Sequence, residues 1–110
     1  GDRLKDMLKV GAENVAASEI EAVIMATGLV SECAVVAQSH YMLDEVPAVF
    51  LIPSNSASDD VADAVIAACQ RDLADFKVPR TVRVVDELPR STLEKIAKAE
   101  LRKLLEPITE

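Results

Sequence analysis

Two stretches decide the fold: VSECAVVAQSH, residues 30–40, and VPAVFLIPS, residues 46–54, separated by the polar YMLDE. Each is rich in β-branched and other apolar residues, and the polar break between them is short, so the pair reads as neighbouring strands joined by a loop. Pro47 is expected at a strand start or on an edge, because proline cannot donate a ladder hydrogen bond.

Upstream, ASEIEAVIMATG (17–28) reads as a helix. Ser18 and Glu21 have the spacing of a capping box, in which each side chain meets the other's free backbone amide. Ile20, Val23, Ile24 and Thr27 then recur at helical spacing, and Gly28 can end the helix in a left-handed conformation. Downstream, NSASDD (55–60) breaks the strand and supplies capping groups. Val61, Val65, Cys69, Leu73 and Phe76 draw one apolar stripe along a second helix, which KVP (77–79) ends, since a residue before proline is pushed away from helical geometry. TVRVVDELP (81–89) alternates as a strand, and LEKIAKAELRKLLE (93–106) has the periodicity of a final helix. RLKDMLKV (3–10) suits either a short strand pair or one helical turn. The expected class is therefore α+β: a small, mainly antiparallel sheet of about three strands plus an N-terminal hairpin, packed with three helices.

The chain has 110 residues, half of them hydrophobic, enough for one domain with an aliphatic core. No apolar run reaches the ~20 residues of a membrane span, and the charged amino end lacks the apolar stretch of a signal peptide, so a soluble, cytoplasmic setting is the expectation. Cys33 and Cys69 have no Cys-x-x-Cys spacing and read as reduced core residues. His40 is the single histidine, with no second His or Cys near it, and reads as a polar surface residue. The glycines stand only at positions 1, 11 and 28, so no phosphate-binding loop is present. The formal net charge is −7, which with few aromatics argues against nucleic-acid binding. The cations are segregated: every Lys and Arg lies at or before Lys9 or at or after Arg71.

FKVPRTVRVVDELPRSTLEKIAKAELRK (76–103) resembles the carboxyl-terminal signature of the adenylate-forming enzymes, the superfamily of acyl-CoA synthetases, luciferase and peptide-synthetase adenylation domains. DRLKDMLKVGAENVAASEIE (2–21) is similar to the same family's hinge and following loop. The resemblance covers nearly the whole chain, with its two motifs in the family's order. It implies that residues 1–110 form the mobile C-terminal lid of an AMP-forming acid–thiol ligase, with a hinge near residues 3–6 and the N-terminal ATP- and acyl-binding domain outside this sequence. Such an enzyme joins a carboxylic acid to ATP as an acyl-adenylate, then transfers the acyl group to coenzyme A. The N-terminal domain holds most of the ATP and Mg²⁺ contacts, and no nucleic acid or membrane partner is implied.

Residue by residue, the resemblance makes Lys95 the adenylation lysine and Lys5 the hinge residue. It turns Arg3, Lys9 and Asn14 toward the nucleotide, and it places Gly11 and Ala12 in the loop lining the coenzyme A channel. Two residues depart from the family pattern. Ala12 stands where a second glycine is common, and Glu94 replaces the glycine before the lysine. Two other functions stay open: loading of a carrier-protein thiol, and a stand-alone binding module without catalytic duty.

Overall fold

The computed structural model describes residues 6–55, 57–92 and 94–110. In chain order the elements among the described residues are β1 (Met7–Val10), β2 (Glu13–Ala16), α1 (Ala17–Ala26), β3 (Val30–His40), β4 (Asp44–Pro53), α2 (Val61–Asp72), β5 (Thr81–Val84) and α3 (Lys98–Arg102), with a 3-10 turn at Asp75–Lys77 before β5. The sheet has five strands. β3 and β4 form its long antiparallel centre, β1 and β2 are an antiparallel hairpin attached through Val10 and Asp44, and β5 runs parallel to β4 from Ala48 to Leu51. The α+β expectation, with the entry segment as a strand pair, matches this architecture.

Alternation along β3 and β4 gives the sheet two buried faces. Val35, Val49 and Leu51 join Ile20 and Ile24 of α1 and Val65 and Cys69 of α2 in one cluster, whereas Ala34, Val36, Ala48 and Phe50 pack with Leu88 and Leu101 in another. A strand buried on both faces reads as a continuous apolar run, which is why residues 46–51 show so little polar alternation. Each large aliphatic side chain removed from water this way contributes about 1.5–3 kcal/mol.

Several local expectations need correction. Pro47 is neither at a strand start nor in an edge strand; it lies within the central strand β4, opposite Ala37. The amide of Val35 points away from β4, toward Glu21. Its partner Val49, and Pro47 two residues earlier, therefore turn their nitrogens away from β3. Pro47 faces the other edge just before β5 begins, so its missing donor leaves no ladder bond unmade; its carbonyl there accepts from Arg80 N at 2.8 Å. Ser18 and Glu21 form no capping box, because α1 already starts at Ala17 and has no side-chain cap. The Ala17 amide donates instead to the carbonyl of Asp6 at 3.1 Å. Gly28 does end α1, with φ +74°.

The helical stripe of α2 also stops early. Leu73 is already extended, and Phe76 sits in the 3-10 turn, half-buried against the same cluster. The final helix is the largest difference: α3 has only five residues, and the residues before it form a tight loop. The loop is closed by an antiparallel bridge between Arg90 and Ile96 and by backbone bonds from Ser91 N to Lys95 O, 2.7 Å, and from Ala97 N to Pro89 O, 2.8 Å. Glu94 has φ +65° within it, which is incompatible with a helix through that point.

Charge segregation in the sequence becomes long-range pairing in the fold. Cations from the last third reach carboxylates of the cation-free stretch, Lys77 to Glu19, Arg90 to Glu32, Lys98 to Glu21 and Arg102 to Glu45. His40 organises the β3–β4 turn rather than merely facing solvent: its Nδ1 accepts from the amides of Met42 and Leu43, each at 3.1 Å. The buried Gln38 is fully engaged, donating to Glu106 O at 2.9 Å and accepting from Thr81 Oγ1 at 2.7 Å.

Candidate functional site

The β1–β2 hairpin turns through Gly11 and Ala12, with Val10 opposite Glu13. Gly11 has φ +60°, and Ala12 is not among the residues of positive φ, so only the first central residue takes the left-handed region, as in a type II′ turn. Ala12 in place of a second glycine is therefore unstrained. A Cβ on Gly11 would meet Leu43 Cδ2 at an ordinary 3.5 Å, so the backbone angle, not space, is what selects glycine here. The turn is pinned to the body by Gly11 N donating to Leu43 O at 2.7 Å.

Lys9 and Asn14 are register partners across this hairpin. Directly opposed residues share a face, so the two exposed side chains stand side by side, while Leu8, Val10 and Val15 enter the core shared with α1 and α2. Arg3 and Lys5 lie outside the described residues.

Lys95 is exposed on the closed loop before α3, not on the helix itself. The loop is anchored by its neighbours: Ile96 and Leu88 pack in the cluster under α3. Glu94 does not cap α3, whose N-cap is Ala97 without a side-chain bond. Its backbone instead occupies the left-handed position that the family's glycine would fill without strain. Glu94→Gly is accordingly expected to raise stability by about 0.5–1 kcal/mol, the removed strain outweighing the added freedom of the unfolded chain. A higher urea midpoint at unchanged slope would register it; a lower midpoint would mean that the Glu94 side chain contributes more than its backbone costs.

Cys33 and Cys69 are free thiols, as the sequence suggested. Burial, reinforced by the nearby Glu21 carboxylate, pushes the Cys33 thiol up to about 12, so it is neutral and a poor nucleophile. Burial also raises the Cys69 thiol. Among the described residues no group of three or more His, Cys, Asp or Glu could hold a metal ion, and no helix is long and apolar enough to cross a membrane.

The family profile of the AMP-binding enzyme C-terminal domain matches residues 19–95. The chain belongs to that family. An AMP-binding C-terminal domain of this kind occurs in a 2-succinylbenzoate–CoA ligase of Bacillus cytotoxicus, 35% identical over 105 residues that cover 96% of this chain and 21% of the relative. A peroxisomal trans-cinnamate:CoA ligase of Petunia hybrida is 36% identical over 103 residues, 94% of this chain and 18% of the relative. Among solved structures, apo MatB from Rhodopseudomonas palustris superposes with a TM-score of 0.83 at 36% identity, over 91% of this chain and 20% of that one. The amide bond synthetase McbA from Marinactinospora thermotolerans gives 0.87 at 28% identity, over 96% and 21%. The AMP-binding C-terminal domain thus spans about a fifth of the length of these relatives.

Sequence reading gave no role to Asp6, Glu45, Lys98 and Arg102 and gave Glu21 only a capping one; their ion pairs tie α3 to α1, to β4 and to the residue that enters β1. The separation of cations from the acidic middle of the chain was their only signal.

Proposed function

We propose that residues 1–110 are the mobile C-terminal lid of an ATP-dependent acid–thiol ligase, hinged near residues 3–6 and working against an N-terminal AMP-binding domain in a cytoplasmic setting. The observation that carries this reading is the division of the candidate residues between two structures. Lys95 projects from a loop anchored in the core under α3, and Lys9, Asn14, Gly11 and Ala12 belong to a hairpin anchored in the core of α1 and α2. One rigid domain can therefore present either structure to a shared active site by turning about a hinge.

In the first presentation, the Lys95 ammonium bridges the substrate carboxylate and the α-phosphate side of ATP. There it offsets negative charge as the carboxylate oxygen attacks phosphorus and pyrophosphate leaves. Lys9 and Asn14, with Arg3, face the nucleotide. In the second, the turn at Gly11 and Ala12 lines the channel through which the coenzyme A thiol reaches the acyl-adenylate, forms the thioester and releases AMP. Lys5 absorbs the rotation. Mg²⁺ and the adenine are assigned to the N-terminal domain. Closure excludes water in both presentations, so lid motion itself can limit turnover.

The test is pyrophosphate release by the full-length enzyme across a panel of carboxylic acids, with and without coenzyme A, with products identified. Acid-dependent release, followed by a thioester only when the thiol is present, is the expected result. Folded protein that releases no pyrophosphate with any acid overturns the reading. Amide products, as from the amide bond synthetase McbA, or acyl transfer only to a carrier-protein thiol, would retain adenylation and reassign the acceptor.

A further inference from the structure

Lys98 lies at the first residue of α3, just beyond the loop of Lys95. Its ammonium donates to both carboxylate oxygens of Asp6, at 2.9 and 2.7 Å, and lies 2.8 Å from Oε2 of Glu21. Neither acceptor is loose. The Asp6 carbonyl takes the first amide of α1, and Glu21 Oε2 takes the Val35 amide at 2.9 Å. One helical turn further along α3, Arg102 meets Glu45 at 3.2 Å, and Glu45 in turn accepts the backbone amide of Lys9 at 2.9 Å. Between these two links lies a groove of about 230 Å³, walled by Asp6, Met7 and Leu8 on one side and Lys98, Ala99 and Arg102 on the other. The entry to β1 and the first turn of α3 are thus connected across open space by charged struts.

We infer that Lys98 is a positioning residue for adenylation, locking the segment that enters β1 to the base of the Lys95 loop so that both turn about the hinge as one body. This rests on the roles given above to Lys5 and Lys95. The hairpin follows Asp6 directly along the chain and needs no strut to follow the hinge; the Lys95 loop is 89 residues further on and follows it through tertiary contacts. An isolated exposed ion pair contributes little. The Lys98 side chain, however, is only 26% exposed and its ammonium serves two carboxylates, so removing it leaves Asp6 and Glu21 as neighbouring like charges. The consequence is a shift of α3 relative to the hinge. A misplacement near 1 Å at a reacting group can cost ~100-fold in rate.

The experiment uses the full-length enzyme with Lys98→Met and Lys98→Arg. For Lys98→Met the adenylation kcat is expected to fall roughly tenfold or more with the KM for ATP within about twofold, and thioester formation from supplied acyl-adenylate to fall less than about threefold. Lys98→Arg, which keeps the charge and can span both carboxylates, is expected to restore most of the loss. Trypsin cleavage after Lys5, whose next residue is Asp6, reports the strut without any catalysis and should accelerate several-fold in Lys98→Met. Equal loss in both half-reactions with no rescue by arginine would make the role merely structural and overturn the inference, as would unchanged cleavage and adenylation. A wild type that adenylates no acid while Lys98→Met still accelerates cleavage would overturn the ligase reading and leave the strut standing.

Discussion

Lys95→Ala in the full-length enzyme is expected to reduce acid-dependent pyrophosphate release by about 10²- to 10³-fold, roughly 3–4 kcal/mol of transition-state stabilisation, while leaving thioester formation from supplied acyl-adenylate within a few-fold of wild type. The size of the effect follows from what a single ammonium does in a closed, water-poor site: it meets charge that develops only as the carboxylate attacks phosphorus, so its loss falls on the rate and not on ground-state binding. The asymmetry between half-reactions follows from the fold. Lys95 is on a loop anchored beneath α3, and the hairpin carrying Gly11 is anchored in the other core, so deleting one side chain leaves the other presentation intact. The Lys95 carbonyl accepts from the Ser91 amide, a loop-closing bond that the substitution leaves in place. A stopped assay of each half-reaction separately measures the split. Equal loss of both would show that Lys95 supports the domain and not the adenylation chemistry.

The same separation explains what could and could not be read in advance. β3 and β4 were legible because strands buried on both faces must be apolar nearly throughout, and the end of α1 was legible because Gly28 is one of only three glycines and follows a periodic helix. The final helix was misread for a physical reason. Ile96 and Ala99, like Leu101 and Leu104, are three apart as on a helix, but Ile96 is bridged to Arg90 as a strand residue while Leu101 is in α3, and Ile96 and Leu101 reach the same core by different backbone routes. Periodicity records which residues are buried, not which backbone brings them there. The box at Ser18 and Glu21 failed similarly: Glu21 has a better acceptor role, toward the Val35 amide and the Lys98 ammonium, that no local pattern contains. As for the site, Lys95 and Gly11 stood out through their motifs, whereas Asp6, Lys98 and Glu45 acquire meaning only once residues 36–92 positions apart are brought together.

Leu101→Ala is the stability prediction with the largest effect, a loss of about 3 kcal/mol within the 2–5 kcal/mol range of buried leucine truncations, seen as a fall of roughly 10 °C or more in the Tm of this chain. Leu101 is 1% exposed and sits among Ala34, Val36, Ala48 and Phe50 on the β3–β4 face, with Leu88 beside it. Two small alanines among its neighbours leave little bulk able to move into the space of the lost side chain, which places the cost well above simple transfer. α3 has five residues, too few to persist as a helix without tertiary support, and Leu101 is its one buried side chain. The truncation should therefore loosen α3 and the Lys95 loop ahead of the rest of the domain. Amide hydrogen exchange tests that ordering: protection should fall first at Ser91, Ala97 and Leu101, and only later at Val35 and Val49. Uniform loss across both faces would mean that the two cores unfold together and that the loop has no local stability of its own. Early loss confined to α3 and its loop would mean that the same small cluster sets both the stability of the domain and the placement of its lysine.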